Sequence, residues 1–487
     1  MEDSSIDTFV CQCPDEFRSV CEELPFYAEK EGKQYCVLHF PSKDKEDDFR
    51  KAAESKLEEE DFDFRGVYFP EATKVLDVFG LLFGFLLRNP SFHSATFSGR
   101  VDFVGENLDR ADFSRATFSE EADFSRATFS KEANFRGATF NKKANFSGAT
   151  FSERAYFTEA TFSERVYFTE ATFSERTFFR RATFCGVADF EGAIFGGEAE
   201  FTWATFREKA NFLGATFGGG AYYFDTTFRR MANFTRGTFC ERVHFSRLKT
   251  FDETTFGFRN VTMEKPEQVS FHTQYLRPSW FVDADAQKVD FSEVEWFRLP
   301  GGDKLFLESE IEALKSRGIQ PPESLRKLAR ACKRLMNNAE ENRDYPTANE
   351  MHYWSMEAQR KEGWSRLGLI ATLYWALSGY GVRPLRAFMV LLILSLVFAL
   401  LFSWPYIGAP SSLQALEGLT YGYWGGPLDY LGYFLRTEMY SLGALARLNP
   451  EPKPTPGLFQ TLVIVAGILG PLQIALFLLA VRRKVMR

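Results

Sequence analysis

The stretch ATFSEEADFSRATFSKEANF, residues 116–135, decides the fold. Phenylalanine returns every few residues between serines, arginines and glutamates, with no aliphatic residue larger than alanine beside it. Rings of this size are normally buried, so the segment must make an interior from Phe and Ala alone. From Phe113 the rings fall at 118, 124, 129, 135, 140 and 146, and the alternation of five and six continues, with Tyr223 in one slot, to Phe245. The true period is eleven residues, repeated twelve times over 132 positions. Two residues before nearly every ring stands a small one, such as Ala111, Ala116, Ala122 and Ala127, with Val166, Thr177 and Gly237 as variants. Residues i and i−2 of an extended segment share a face, so alanine and phenylalanine point inward and the Thr, Asp or Asn between them points outward. A helical period would scatter the same rings around a circumference; this spacing selects a coil of short strands, a solenoid.

The pattern resembles the pentapeptide-repeat family, whose unit is a small residue, a polar residue, a large central residue and two further outward positions. The resemblance implies a right-handed quadrilateral β-helix. Here every second unit carries an extra residue, an 11-residue double unit, so a four-sided coil takes 22 residues. Coils stacked about 4.8 Å apart place Phe113, Phe135, Phe157 and Phe179 in one internal ladder. The regular core is 111–247, and weaker copies at Phe64, Phe69, Phe251, Phe256, Phe271, Phe281, Phe291 and Phe297 extend the β-helix to 62–300. FGLLFGFLL, 79–87, interrupts it; the run is too short to span a bilayer and reads as a cap or loop packed on the first coil.

Some pentapeptide-repeat proteins present an acidic face that imitates DNA. Residues 111–250 contain 17 acidic and 19 basic side chains, often adjacent as in Ser-Glu-Arg at 152–154, 163–165 and 174–176. That is a mixed, solvated face, and it argues against a DNA mimic and against a nucleic-acid-binding stripe. Enzyme chemistry is not expected: the five histidines are scattered, no glycine loop cradles phosphate, and Cys185 and Cys240 take outward slots after rings. A protein partner on the β-helix is the remaining role for its surface.

Both ends differ from the rod. The first 75 residues carry 20 acidic and 10 basic side chains, and residues 1–42 hold four of the chain's seven cysteines. Clustered cysteines with no secretory signal before them read as metal ligands rather than disulfides. Cys13, Cys21, Cys36 and His39, spaced C-x7-C-x14-C-x2-H, make a four-ligand set for structural zinc, with Cys11 as the alternative ligand to Cys13. The zinc-knuckle-like segment is expected to close against the start of the β-helix. The charged run at 43–61 reads as a solvated helix or linker.

After Pro300 the period becomes helical. Leu325, Leu328, Ala329, Cys332, Leu335 and Met336 share a face, and a second helix runs from about Thr347 to Lys361, giving a helical hairpin within 303–362. His352, Glu357 and Glu350 lie on that second helix, which reads as an amphipathic connector. Residues 364–382 read as an interfacial helix. Residues 387–403 and 458–481 are uncharged throughout, long enough, with the flanks of the first, to cross a bilayer. Basic residues cluster before the first span and after the second, which places both termini in the cytoplasm.

Residues 385–487 therefore read as a two-helix transmembrane domain with a re-entrant loop at 428–452. ENRDYPTANEMHYWSME (341–357), LYWALSGYG (373–381) and ILGPLQIALFLLAVRRKVMR (468–487) resemble bacterial membrane-bound pentapeptide-repeat proteins whose C-terminal part is a potassium-channel-like, two-helix, pore-loop domain. The resemblance implies an inner-membrane homo-oligomer, a tetramer if channel-like, with Ser441, Leu442, Gly443, Ala444 and Leu445 as the pore-loop candidates. A potassium filter needs T-x-G-Y-G, whose glycines permit the carbonyl geometry, and Ser441-Leu442-Gly443-Ala444-Leu445 lacks the second glycine. The expectation is non-potassium-selective conduction or a regulated pore, with a non-conducting membrane-anchored interaction scaffold as the alternative. Gly467, Gly470 and Pro471 are gating-kink candidates or helix-packing residues.

Overall fold

The computed structural model describes residues 9–21, 24–70, 87–251, 254–296, 303–315, 321, 323–362, 366–402, 427–447 and 458–485. The chain forms two compact units, residues 1–306 and 307–487.

The first unit is the solenoid. Its strands are mostly two residues long, alternately Thr-Phe with the ring inward and Ala-Asp or Ala-Asn with the alanine inward. They line up in four parallel sheets, two of eight strands and two of seven, so each coil has four sides. In the regular region the partner of each residue lies one 22-residue coil away, as in Thr139↔Thr161 and Phe140↔Phe162. The first coils are tighter, with Thr96 opposite Thr117; the last are longer, with Val243 opposite Val269.

The expected ladder forms. Phe113–Phe135, Phe135–Phe157 and Phe157–Phe179 stack at 5.0, 5.0 and 4.9 Å with interplanar angles below 10°, and Ala127, Ala133 and Ala138 fill the space between ladders with no exposed surface. Neighbouring ladders meet edge to face, as Phe124 does with Phe135 at 5.6 Å, the arrangement the ring quadrupole favours. The ladder extends through Phe271 to Phe291; Phe297 lies outside the described residues, and so does 79–86 of the FGLLFGFLL run.

The extra residue of every second unit has a geometric cause. Five-residue steps turn through a two-residue corner whose second position has positive φ: Arg115, Arg126, Gly137, Gly148, Glu159, Glu170, Arg181, Gly192, Trp203 and Gly214 recur every eleven residues. Six-residue steps use a longer corner, without this conformation at any described position between Ala116 and Phe212. Outward Asp and Asn brace the tight corners by accepting a backbone N–H two residues on, as Asp123 does from Ser125 at 2.9 Å. The mixed charge also has an origin: ion pairs join residues one coil apart, as in Lys131–Glu153 and Arg181–Glu159. Each is exposed and contributes less than about 1 kcal/mol.

The charged run at 43–61 is more than a linker. It forms α1, Glu46–Glu58, which buries Phe49, Ala53 and Leu57 and sets Phe49 edge-on to Phe69 of the first coil at 5.3 Å. The helix caps the open end of the ring stack, where Phe64 and Phe69 have no coil before them.

The second unit is helical: α2 Asp303–Lys315, α3 Glu323–Glu341, α4 Tyr345–Glu362, α5 Arg366–Ser378, α6 Pro384–Phe402, α7 Pro427–Leu445 and α8 Leu458–Val485. The expected hairpin is α3–α4, antiparallel since Arg326 pairs with Glu362 while Ser355 Oγ donates to Ala329 O at 2.9 Å. Residues 366–378 of the expected interfacial segment are α5. The segment expected as a re-entrant loop at 428–452 is helical over 427–445, and α7 packs on both α6 and α8 through Phe398, Phe402, Tyr440, Ala444, Leu445 and Ala466.

Candidate functional site

The N-terminal segment builds a buried donor cluster. Residues 28–30 and 33–35 form a hairpin across a tight turn in which Glu31 and Gly32 have positive φ. The hairpin delivers Cys36, and the turn after it, closed by Phe40 N donating to Cys36 O at 3.0 Å, brings His39 back beside Cys36. A short 3-10 helix, Asp15–Cys21, supplies Cys21.

Cys11, Cys21, Cys36 and His39 place one ligand atom each within 4.8 Å of one another, and all four are buried. The tight group thus contains Cys11, the alternative ligand, where the spacing favoured Cys13. The reason lies in the chain path: Cys36 N points at Cys11 Sγ, 3.3 Å away, so Cys11 faces the hairpin end. Cys13 is also buried and interacts with the thiols of Cys11 and Cys21 and with His39. Cys13 thus lies beside the four-donor group as a further buried thiol.

The donor chemistry fits a thiophilic metal ion. His39 Nδ1 faces the sulfurs, 3.3 Å from Cys36 Sγ, while Nε2 lies 3.3 Å from Arg65 O. An Nε2–H donated to that carbonyl leaves the Nδ1 lone pair aimed at the cluster, the outer-shell arrangement that orients a metal-bound imidazole. The thiols shift each other: hydrogen bonds from Cys13, Cys21 and Cys36 drive Cys11 toward thiolate, and those with Cys11, Cys13 and Cys36 hold Cys21 as the thiol. Burial opposes charge on His39, but its contacts with Cys11, Cys13 and Cys36 outweigh that and raise it to about 11. Without a cation, that much thiol in a buried space retains protons; Zn²⁺ would replace them. Lys45 Nζ, also buried, donates to Leu38 O at 2.9 Å and to Val37 O, tying α1 to the Cys36–His39 turn.

The knuckle is seated on the solenoid. Arg65 belongs to the first coil, Tyr68 N donates to Leu38 O at 3.0 Å, and Phe17 covers Gly66, whose φ is +68 and where a Cβ would stand 2.4 Å from the Phe17 ring.

In the helical unit a second polar assembly ties α4 to the ends of α6 and α8. Gly379, Tyr380 and Gly381 all have positive φ, a turn that holds the buried Tyr380 between α5 and α6. Its hydroxyl donates to the Glu357 carboxylate at 2.8 Å, and Arg360 donates to the same carboxylate at 3.0 and 2.5 Å. Burial disfavours the Glu357 charge, yet these bonds from Arg360 and Tyr380 hold it below the usual carboxylate range. Arg483, at the end of α8, donates to Tyr380 O at 3.1 Å, and Asn349 of α4 donates to Arg483 O at 3.0 Å. His352 is lowered to about 4 by burial and by Arg483. Glu357 is therefore structural glue at a strained turn. The sequence pointed to the helix carrying it but not to Tyr380, its partner 23 residues on, nor to Arg483, which binds the Tyr380 carbonyl.

Two helices, Pro384–Phe402 and Gln460–Val485, are long and apolar enough to cross a membrane, with 28% and 17% of their most apolar windows buried within the chain. Ser441–Leu445, the pore-loop candidates, are the last turn of α7. Ser441, Ala444 and Leu445 are buried there, and Ala446 N donates to Leu442 O at 2.9 Å. Gly470 lies against Leu445, where a Cβ would stand 2.0 Å from the carbonyl oxygen. Of the gating-kink candidates, Gly470 is thus a close-packing position, and Pro471 sits inside an unbroken helix.

Residues 82–128, 124–172, 157–203 and 179–225 match the family model described as pentapeptide repeats (9 copies). Among curated proteins and among solved structures, nothing matches the chain.

Proposed function

We propose that the chain is a membrane-anchored interaction protein: a pentapeptide-repeat solenoid, closed at its N-terminal end by a zinc knuckle, tethered to a bilayer by α6 and α8. The observation that carries the reading is the apolar surface those two helices leave uncovered. Ile393 is 53% exposed, Leu400 60%, Leu458 60% and Leu478 58%, on segments without a charge between Ala387 and Phe402 or between Leu458 and Val481. Water does not tolerate so much contiguous hydrocarbon; a lipid interior does. Basic residues at the start of α6 and the end of α8 favour cytoplasmic termini, which suits a reduced thiol cluster. The solenoid has a rigid core and a charge-balanced face, which suits a protein partner.

Zinc is the ion favoured by three thiolates and one imidazole in a closed, four-donor group. Its role there is structural: a 42-residue polar segment buries too little to fold alone, and ligation supplies the missing free energy.

A second reading, an oligomeric pore of low potassium selectivity, draws on one feature. Helix α7 is packed between the two candidate spans and joins them, as a pore helix does. In planar bilayers the full-length protein would then pass single-channel currents that change when Gly443 or Ala444 is enlarged. The anchor reading expects the full-length protein in the membrane pellet after alkaline carbonate washing. Release into the supernatant refutes both, whereas silent bilayers with a membrane-bound protein refute only the pore.

A further inference from the structure

The most polar point in the α6–α7–α8 bundle is a carboxylate. Glu438 of α7 accepts a hydrogen bond from Ser395 Oγ of α6 through Oε1, while its Oε2 is buried with no hydrogen-bond partner among the described residues. Ser441, one turn on, donates to Ser395 O at 2.8 Å. Ser395, Ser441 and Thr437 are at most 1% exposed. A carboxylate and hydroxyls from two helices are thus gathered at one place between apolar helices.

A half-buried carboxylate with one oxygen shut off from water and one neutral donor on the other is costly unless a positive charge meets it. Among the described side chains no protein cation meets it, and Arg436 of α7 stands two residues before Glu438, a spacing at which helical side chains do not face each other. The cations of α6 and α8 lie at their ends, Arg386 and Arg482 to Lys484, and Arg447, just past α7, donates to Gly467 O. Tyr440, a described titratable side chain two residues on along α7, packs on Phe402. The serine hydroxyls each keep lone pairs after donating. One net negative charge with neutral hard oxygens matches a small monovalent cation; a divalent ion would call for further carboxylates.

We propose that Glu438, Ser395 and Ser441 form a binding site for an alkali cation of the sodium class, with water completing its shell. The site does not depend on whether the bundle conducts, since binding is read on protein held in detergent.

The full-length protein, purified in choline chloride, is titrated with NaCl, KCl or LiCl at constant ionic strength and its melting temperature followed. Binding raises the midpoint saturably, by about 3–6 °C at ten times the dissociation constant, with one of the three ions favoured. Glu438→Gln abolishes the response. Ser395→Ala shifts the half-saturating concentration upward at least fivefold and keeps the proposal testable if the glutamine variant does not fold. Equal midpoints in alkali and choline salts overturn the site. So does an unchanged response in Glu438→Gln, or a midpoint that follows pH alone.

Discussion

Pro471 lacks an N–H, so the carbonyl four residues earlier, Gly467 O, loses its intrahelical donor. Arg447 replaces it: its Nε donates to Gly467 O at 2.6 Å, anchoring the end of α7 to the middle of α8 beside the Gly470–Leu445 contact. A charge-assisted bond contributes about 1.5–3 kcal/mol, and this one, exposed at the α8 surface, stands at the low end of that range. Arg447→Ala should therefore destabilise the helical unit by about 2 kcal/mol, or roughly 4–8 °C in a unit of this size. Pro471→Ala restores the helical donor to Gly467 O, so in that background the arginine matters less. The expected coupling in a double-mutant cycle is about 1–2 kcal/mol. Thermal and denaturant unfolding in detergent, followed by the tryptophans of α4 and α5, measures all four corners. If Arg447→Ala costs the same with proline and with alanine at 471, the arginine is not substituting for the missing N–H and the reasoning fails.

Three further outcomes test other parts. Phe157 is wholly buried between Phe135 and Phe179, so Phe157→Ala should cost about 3–5 kcal/mol and lower the solenoid's melting transition while the helical unit keeps its own. Full-length protein should hold one equivalent of zinc by elemental analysis; Cys36→Ser should lose it, whereas Cys11→Ser retains part through Cys13 and Cys11→Ser with Cys13→Ser retains none. His352, lowered to about 4 by burial and by Arg483, is neutral in the fold and protonated in the unfolded chain below about 6.5. Its contribution to stability is thus complete above pH 6.5 and is lost as pH falls toward 4. The loss is about 3 kcal/mol at 1.36 kcal/mol per unit, nearer 2 after allowing for partial solvent screening, and His352→Gln should flatten the acid limb of the stability profile.

The solenoid was legible because its code is local and repeated. Small residue and ring two apart fix the face, and the five–six alternation fixes the coil, so Phe113, Phe135, Phe157 and Phe179 could be assigned to one ladder before any coordinates. The positive-φ corners were not legible: Gly137, Gly148, Gly192 and Gly214 lie on one eleven-residue register, but Arg, Glu and Trp at the remaining positions hide the signal. Spacing along the chain left Cys13 and Cys11 as alternatives because it counts residues, while the cluster is set by which thiol meets the end of a hairpin, and there Cys11 joins Cys21, Cys36 and His39. The capping role of α1 was hidden by its charge; the few apolar residues at Phe49, Ala53 and Leu57 form a narrow stripe in a strongly acidic run. In the 428–452 segment the apolar stretch is helical as far as Leu445; the small residues at 441–444 do not reveal that contacts with α6 and α8 keep them in that helix.

The same distinction separates what the two ends do mechanically. In the solenoid each coil meets its neighbours through equivalent ladders, and no coil has a residue that the next could not supply; a perturbation there is felt one coil away. The unrepeated features are where a signal can be read. At the knuckle, the Lys45 clamp and the Phe17–Gly66 contact flank one buried donor cluster, so on the proposed reading metal binding would strengthen the cover of the first coil. In the helical unit, the Tyr380 hydroxyl binds Glu357 of α4 and its main-chain carbonyl accepts from Arg483 of α8, so α4 and the end of α8 meet at one residue of a strained turn. Tyr380→Phe removes only the hydroxyl and leaves the ring, and it should uncouple Glu357 from the turn at a cost of about 1–2 kcal/mol. Hydrogen exchange provides the check: faster exchange at 378–383 together with the C-terminal turn of α8 supports a shared joint, while a change confined to α4 shows that the turn is held by its glycines alone.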